Sequence, residues 1–254
     1  MLNKTTVVFV GPAGSGKSTL LSAYSRWLEK EIGARVYRVN LDTAAEYIPY
    51  VPDFDVRVYI DAHRIAKEFG LGPNGALVKS MDILAERVDI VEDAIRQADA
   101  DFVLVDTPGQ MEVFIFRDVA PKIFEAVKRV SKDVLALFVL DGEVIKRFED
   151  YAFISIMSVA LQARLGVDVV PIINKYDVVP NLELMGDLIS DADLVTENLR
   201  KSGLYGEMLA KIMDILWLYA KATRVPKVSA KNMQGLEELH RIVHEFTCSC
   251  GDLT

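Results

Sequence analysis

Eight residues near the start of the chain, Gly11-Pro12-Ala13-Gly14-Ser15-Gly16-Lys17-Ser18, carry the spacing G-x-x-x-x-G-K-[ST]. The chemistry this spacing serves is phosphate binding. Glycines let the backbone curl so that its N–H groups converge on phosphate oxygens. Lys17 can reach the β- and γ-phosphates, and the Ser18 hydroxyl can ligate Mg²⁺. Thr19 follows in the first turn of the expected helix, whose N-terminus adds partial positive charge. All of Gly11 to Thr19 is therefore expected to line a nucleoside triphosphate.

Two further constellations complete a hydrolytic site. Phe102-Val-Leu-Val-Asp106-Thr-Pro-Gly109-Gln110 reads as an apolar strand ending in an acid and a tight turn. Asp106 can hold Mg²⁺ directly or through water, and the Gly109 N–H can face the γ-phosphate. Gln110 is placed to orient the attacking water. Asp42, after Asn40-Leu41, has two readings: the Mg²⁺ shell or water positioning, or a helix N-cap. The metal set expected is thus Ser18, Asp42 and Asp106.

Val169-Val-Pro-Ile-Ile-Asn174-Lys175-Tyr-Asp177 ends another buried run in N-K-x-D. Guanine presents N1–H and its exocyclic amine as paired donors, and a carboxylate is the matching bidentate acceptor. That assigns Asp177, which adenine would leave unpaired. Asn174 can bond the base N7 or brace the phosphate loop. The Lys175 stem can cover the base plane. Ser229-Ala230-Lys231 follows the next apolar run, where a backbone N–H can meet guanine O6.

These residues need a scaffold that brings strand ends together. Strand-like runs fall at Thr6–Val10, Arg35–Asn40, Phe102–Val105, Val134–Leu140, Asp168–Ile173 and Pro226–Ser229. Their non-alternating apolar character suits strands covered on both faces. Helical patterns lie between them, among them a stripe of Leu84, Val88, Val91, Ile95 and Ala98. The fold class expected is α/β: a doubly wound, mostly parallel sheet flanked by helices, of P-loop NTPase type. One domain over residues 1–254 is expected, with insertions at 42–75 and 180–221. The second is helical and carries Leu184, Met185, Leu188, Leu194, Leu204, Met208 and Trp217; it is either an interaction element or a flap that enlarges the core.

Composition narrows the class. The 254 residues are 51% hydrophobic and 26% charged, ordinary for a globular protein. A formal net charge of -8 argues against a broad nucleic-acid footprint. The apolar runs are too short to span a bilayer. Only two cysteines occur, Cys248 and Cys250, so no disulfide framework is expected and a cytoplasmic location is. The first strand starts close to the first residue, leaving no room for a cleavable signal. His240, His244, Cys248 and Cys250 could offer a soft metal set, against the simpler reading of a surface helix with free thiols. His63 reads as a partly exposed helix residue. Val113-Phe-Ile-Phe116 reads as core or dimer contact rather than a base-stacking platform.

In this order the motifs resemble a P-loop GTPase. Leu71-Gly72-Pro73-Asn74-Gly75, between the phosphate loop and the Asp106 strand, narrows the likeness to the GPN-loop GTPases. The resemblance spans essentially the whole chain, with Thr43 departing where the family commonly has proline. It implies a homodimer, or a heterodimer of paralogues, in which Asn74 reaches the other subunit's phosphates in trans. It also implies a link to RNA polymerase assembly, known for eukaryotic relatives. An amide cannot neutralise charge as an arginine finger would, so Lys17 and Mg²⁺ must supply most of the stabilisation. Glu112, two positions past Gln110, can orient water or brace a loop, or is a solvated helix-start acid.

The resulting reading is a Mg²⁺-dependent hydrolase converting GTP to GDP and phosphate, acting as a nucleotide-gated switch. Two rivals stand beside it: an assembly scaffold in which slow turnover only times partner release, and a P-loop ATPase or phosphotransferase.

Overall fold

The computed structural model describes residues 3–179, 192–219 and 225–247. Six strands form one sheet: β1 (Thr5–Val10), β2 (Val36–Asn40), β3 (Phe54–Asp55), β4 (Phe102–Asp106), β5 (Asp133–Asp141) and β6 (Asp168–Asn174). Their order across the sheet is β3-β2-β4-β1-β5-β6, and every neighbouring pair is parallel. Parallel neighbours require crossovers, and helices supply them on both faces except between β2 and β3, where the irregular segment 41–53 makes the connection.

Side chains alternate across each strand, so one strand feeds two cores. Val7 and Phe9 pack on α1 (Lys17–Trp27) and α10 (Leu236–Thr247), with Leu135, Leu137 and Val139 of β5. Val8, Val10, Ala136, Phe138 and Leu140 face the opposite core. That second core is built with α2 (Ala62–Phe69), α3 (Pro73–Glu86), α4 (Asp89–Gln97), α5 (Met111–Ile115), α6 (Val119–Val130) and α7 (Phe148–Leu165). Burial on both faces explains why these strands read as unbroken apolar runs. Because the chain winds from β1 toward both edges, the carboxyl ends of β1 and β4 flank a crevice.

Two expectations need correction. Pro226–Ser229 does not form a regular strand: Ile173 N–H donates to the Pro226 carbonyl and Val228 N–H to the Ile173 carbonyl, and past the end of β6 one further bond runs from Tyr176 N–H to the Val228 carbonyl at 3.4 Å. Proline has no N–H to continue a ladder, and the chain turns back at once, with Ser229 and Gln234 exchanging backbone bonds. Phe54–Asp55 supplies the sixth strand instead, beside Val39 and Asn40. The stripe from Leu84 to Ala98 belongs to two helices, because Arg87 leaves helical geometry at φ -119, ψ 37. Leu84, Val91 and Ile95 are nonetheless fully buried, so the stripe marks the core face of both.

The stretch 42–75 holds β3, α2 and the start of α3. Beyond β6, α8 (Ala192–Lys201) and α9 (Gly203–Tyr219) pack on each other, and α9 also meets α7. Leu184, Met185 and Leu188 lie outside the described residues; Leu194 and Trp217 fall on α8 and α9. Leu204 and Met208 are exposed. In Val113–Phe116, Phe114 and Ile115 are buried core and Phe116 is exposed. Among the described residues, no helix is long and apolar enough to cross a membrane.

Candidate nucleotide site

The phosphate loop joins β1 to α1, and two glycines dictate its path. Gly11 has φ 149, and a Cβ there would lie 2.2 Å from the Val139 carbonyl oxygen of β5. Gly16, the residue before α1, has φ 85, and a Cβ there would lie 2.5 Å from Asn174 Nδ2. Any side chain at either position must displace the loop or its neighbour. Lys17 opens the helix, and its ammonium donates to the Gly11 and Pro12 carbonyls at 2.9 and 3.1 Å. Burial lowers the Lys17 pKa, while Asp106 and Asp42 oppose that shift. Ser18 and Thr19 follow in the first turn, whose N–H groups have no helical acceptor.

Asp106 ends β4 beside this loop and is 1% exposed. Tyr50 donates its hydroxyl to Asp106 Oδ2 at 3.0 Å. Burial raises the Tyr50 pKa strongly, with the Asp106 charge adding to it, so the phenol stays protonated and donates. Burial pushes the Asp106 carboxyl up to about 6, while the Ser18 hydroxyl, the Lys17 charge and Tyr50 hold it down. Thr107 anchors the turn by donating to the Phe9 carbonyl at 2.7 Å.

Asp106 Oδ1 and Ser15 Oγ are buried without a hydrogen-bond partner. Such atoms are costly unless something binds them. A hard cation beside Asp106 Oδ1 and the Ser18 hydroxyl would satisfy the carboxylate, and Mg²⁺ takes one or two carboxylates plus phosphate oxygens and water. The residues therefore fit Mg²⁺, with Ser18, Asp106 and, from the adjoining turn, Asp42 able to hold it.

Asp42 is not a helix N-cap. Its N–H donates to Asn40 Oδ1 and its own Oδ1 accepts from Ala44 N–H, both at 3.0 Å, which is a side-chain-closed turn. Asn40 in turn donates to Asp55 at 3.0 Å. The adjoining Thr43 hydroxyl is buried against Ser80 Oγ of α3 at 2.6 Å, a bond that proline could not make.

The Gly-Pro-Asn triplet is a helix start. Gly72 precedes α3 and Pro73 takes its first position, where a missing N–H costs nothing. This presents Asn74 at the surface, where its Oδ1 accepts from Gln110 Nε2 of the same chain at 3.3 Å. Gly109 lies over the phosphate loop, with room for a Cβ 3.5 Å from that of Ala13. Glu112 stands exposed in the first turn of α5.

On the other side of the loop, Asn174 is buried and bridges two segments. Its Nδ2 donates to the Ser15 carbonyl at 2.9 Å, and its Oδ1 accepts from Ala230 N–H at 3.2 Å. These bonds form the phosphate-loop brace, one of the two readings open for Asn174. The Ala230 N–H is thereby engaged, and Ala230 and Lys231 both line the neighbouring cavity. Ser229 is buried, and its Oγ accepts from Asn232 N–H at 3.1 Å. Lys175 adopts φ 62, and its ammonium pairs with Asp141 Oδ2 at 2.7 Å. A cavity of about 180 Å³ opens here, lined by Gly16, Thr19, Asn174, Lys175, Asp177 and Lys231 among others. Gly16 and Thr19 make it continuous with the phosphate loop.

Sequence reasoning missed Tyr50 and Asp141. Asp141 had a signal, since its apolar run ends in an acid as the Asp106 run does. Tyr50 had none, because its partner is 56 residues away.

Among the described residues, no group of three or more His, Cys, Asp or Glu that could hold a metal occurs. His240 is half-buried, with its ring 5.1 Å from Trp27 and its Nδ1 2.9 Å from the Tyr24 hydroxyl. Cys248 and Cys250 lie outside the described residues. His63 sits on α2, partly exposed.

Residues 9–249 match a family model described as "Conserved hypothetical ATP binding protein". The chain is 36% identical over 253 residues to GPN-loop GTPase PAB0955 of Pyrococcus abyssi, covering 98% of this chain and 99% of that one. It is 30% identical over 200 residues to GPN-loop GTPase 3 of Dictyostelium discoideum, covering 78% and 69%. The crystal structure of PAB0955, a GTPase in apo form, superposes with a TM-score of 0.88 at 34% identity, covering 98% of this chain and 100% of that one.

Proposed function

The chain belongs to the GPN-loop GTPases, P-loop enzymes that hydrolyse GTP, and from that premise we propose how its own residues carry the reaction and what it switches. The observation that carries the reading is the continuity of the phosphate loop with the cavity at Asn174, Lys175 and Asp177. A triphosphate on the loop would place its base against Asp177. The Asp177 carboxylate selects guanine through the N1–H and N2 donors, and the Lys175 stem covers one face of the ring. Gly11 to Thr19 cradle the phosphates, and the Gly109 N–H faces the γ-phosphate.

Mg²⁺ held by Ser18, Asp106 and the Asp42 turn would neutralise charge on the β- and γ-oxygens. Lys17 exchanges its two loop carbonyls for phosphate oxygens and stabilises the charge that develops on the leaving group. Gln110 orients the attacking water in line, with Glu112 and Asp42 as supporting acids. When the γ-phosphate leaves, the Asp106–Gln110 turn relaxes, which makes the site a switch.

The working form is a homodimer in which Asn74 acts in trans. Support comes from the exposed apolar side chains of Tyr47, Val51, Val58, Phe69 and Leu71, all in the segment leading to Asn74, which a second copy would cover. The Gln110–Asn74 contact within one chain favours a second reading, in which Asn74 steadies Gln110 in cis. We take residues 1–254 as one domain with insertions at 42–75 and 180–221, working in the cytoplasm. Assembly of a protein complex such as RNA polymerase is the client class, with turnover timing release.

The test is turnover of GTP against ATP by the purified chain. Strong preference for GTP supports the Asp177 assignment. Equal use of ATP would contradict it and favour the nucleotide named in the family description.

A further inference from the structure

Asp106 is buried with two oxygens in different states. Oδ2 accepts from the Tyr50 hydroxyl at 3.0 Å, and Oδ1 has no partner. A carboxylate on its own turns readily about its last torsion. A hydrogen bond to one oxygen removes that freedom and leaves the other for a ligand. Tyr50 is itself held. Its ring packs against the core that includes α1, and the preceding Pro49 carbonyl accepts from Ser22 Oγ of α1 at 2.9 Å. The segment between β2 and β3 is thus pinned to the same helix that carries Lys17 and Ser18.

We propose that Tyr50 is a positioning residue for the cation site: its hydroxyl fixes the Asp106 carboxylate so that Oδ1 stays available to Mg²⁺ beside Ser18. The proposal rests on the magnesium reading above. Outer partners of ligating carboxylates set metal affinity, and losing one typically weakens binding by about 10- to 100-fold. Phenylalanine at this position keeps the ring packing and removes only the hydroxyl.

The experiment is calorimetric binding of GDP to the full chain, in excess EDTA and across a Mg²⁺ titration, for wild type, Tyr50→Phe and Ser22→Ala. In EDTA the three proteins should bind GDP within about twofold of one another, because the phosphate loop and base pocket are untouched. The Mg²⁺ concentration giving half of the affinity gain should rise about tenfold or more in Tyr50→Phe. Ser22→Ala, which frees the Pro49 carbonyl, should shift it in the same direction by less. An unchanged or lower Mg²⁺ requirement in Tyr50→Phe would overturn the proposal. So would an equal loss of GDP affinity with and without Mg²⁺, which marks a merely structural role. A wild type with no Mg²⁺-dependent gain would instead overturn the magnesium reading, and the wild-type curve alone reveals it.

Discussion

The Asn174 side chain holds the Ser15 carbonyl at 2.9 Å with its amide while its oxygen takes the Ala230 N–H at 3.2 Å. One buried residue therefore ties the phosphate loop, the end of β6 and the 229–231 turn into a single frame. Replacing it by alanine strands two buried backbone groups, each worth about 1–3 kcal/mol when unsatisfied. Asn174→Ala should lose roughly 2–6 kcal/mol of stability in urea denaturation. It should also bind GDP more weakly, because loop and pocket no longer share a brace. Unchanged stability would show that water replaces both bonds.

Asp177 gives a sharper test of base recognition. Xanthine carries a carbonyl where guanine carries the N2 amine, so an amide side chain suits it and a carboxylate does not. Asp177→Asn should weaken GTP by about 100-fold or more and improve binding of xanthosine triphosphate. Competition binding of the two nucleotides to wild type and variant reads this directly. A variant that keeps its GTP preference would move guanine recognition away from Asp177.

The His240 ring joins α10 to α1 through the Tyr24 hydroxyl and the Trp27 ring. Burial, and then the neighbouring His244, lower its pKa from the ordinary 6.5. Between pH 6.5 and that lower value the unfolded chain takes up a proton that the folded chain refuses, so stability falls as pH drops through this window. His240→Phe removes the proton site and retains an aromatic ring. Its Tm should therefore fall less than the wild-type Tm between about pH 7.5 and pH 5.5. Equal falls would show that His240 does not couple folding to pH.

Much of this site was legible in the sequence because its pieces are local. Gly11 to Thr19, Asp106 to Gln110 and Asn174 to Asp177 each sit at a strand end, and the strand runs carry an unmistakable two-face burial pattern. What the sequence hid was non-local or conformational. Tyr50 meets Asp106 through folding, not spacing. The Ala230 N–H reads as available in the sequence, but in the fold Asn174 Oδ1 occupies it. Pro226–Ser229 has strand composition, but proline and the immediate reversal at Gln234 leave it two bonds alongside β6. The break at Arg87 likewise interrupts a stripe whose core face continues across it.

The role of Asn74 is decided by mixing two defective chains. Asn74→Ala and Gln110→Ala, each slow alone, are combined and allowed to exchange subunits, and GTP turnover is measured. If Asn74 acts in trans, half of the random dimers regain one intact site, and turnover should recover to roughly a quarter of wild type. If the mixture stays as slow as its components, Asn74 serves the Gln110 of its own chain, and the dimeric account of catalysis is wrong.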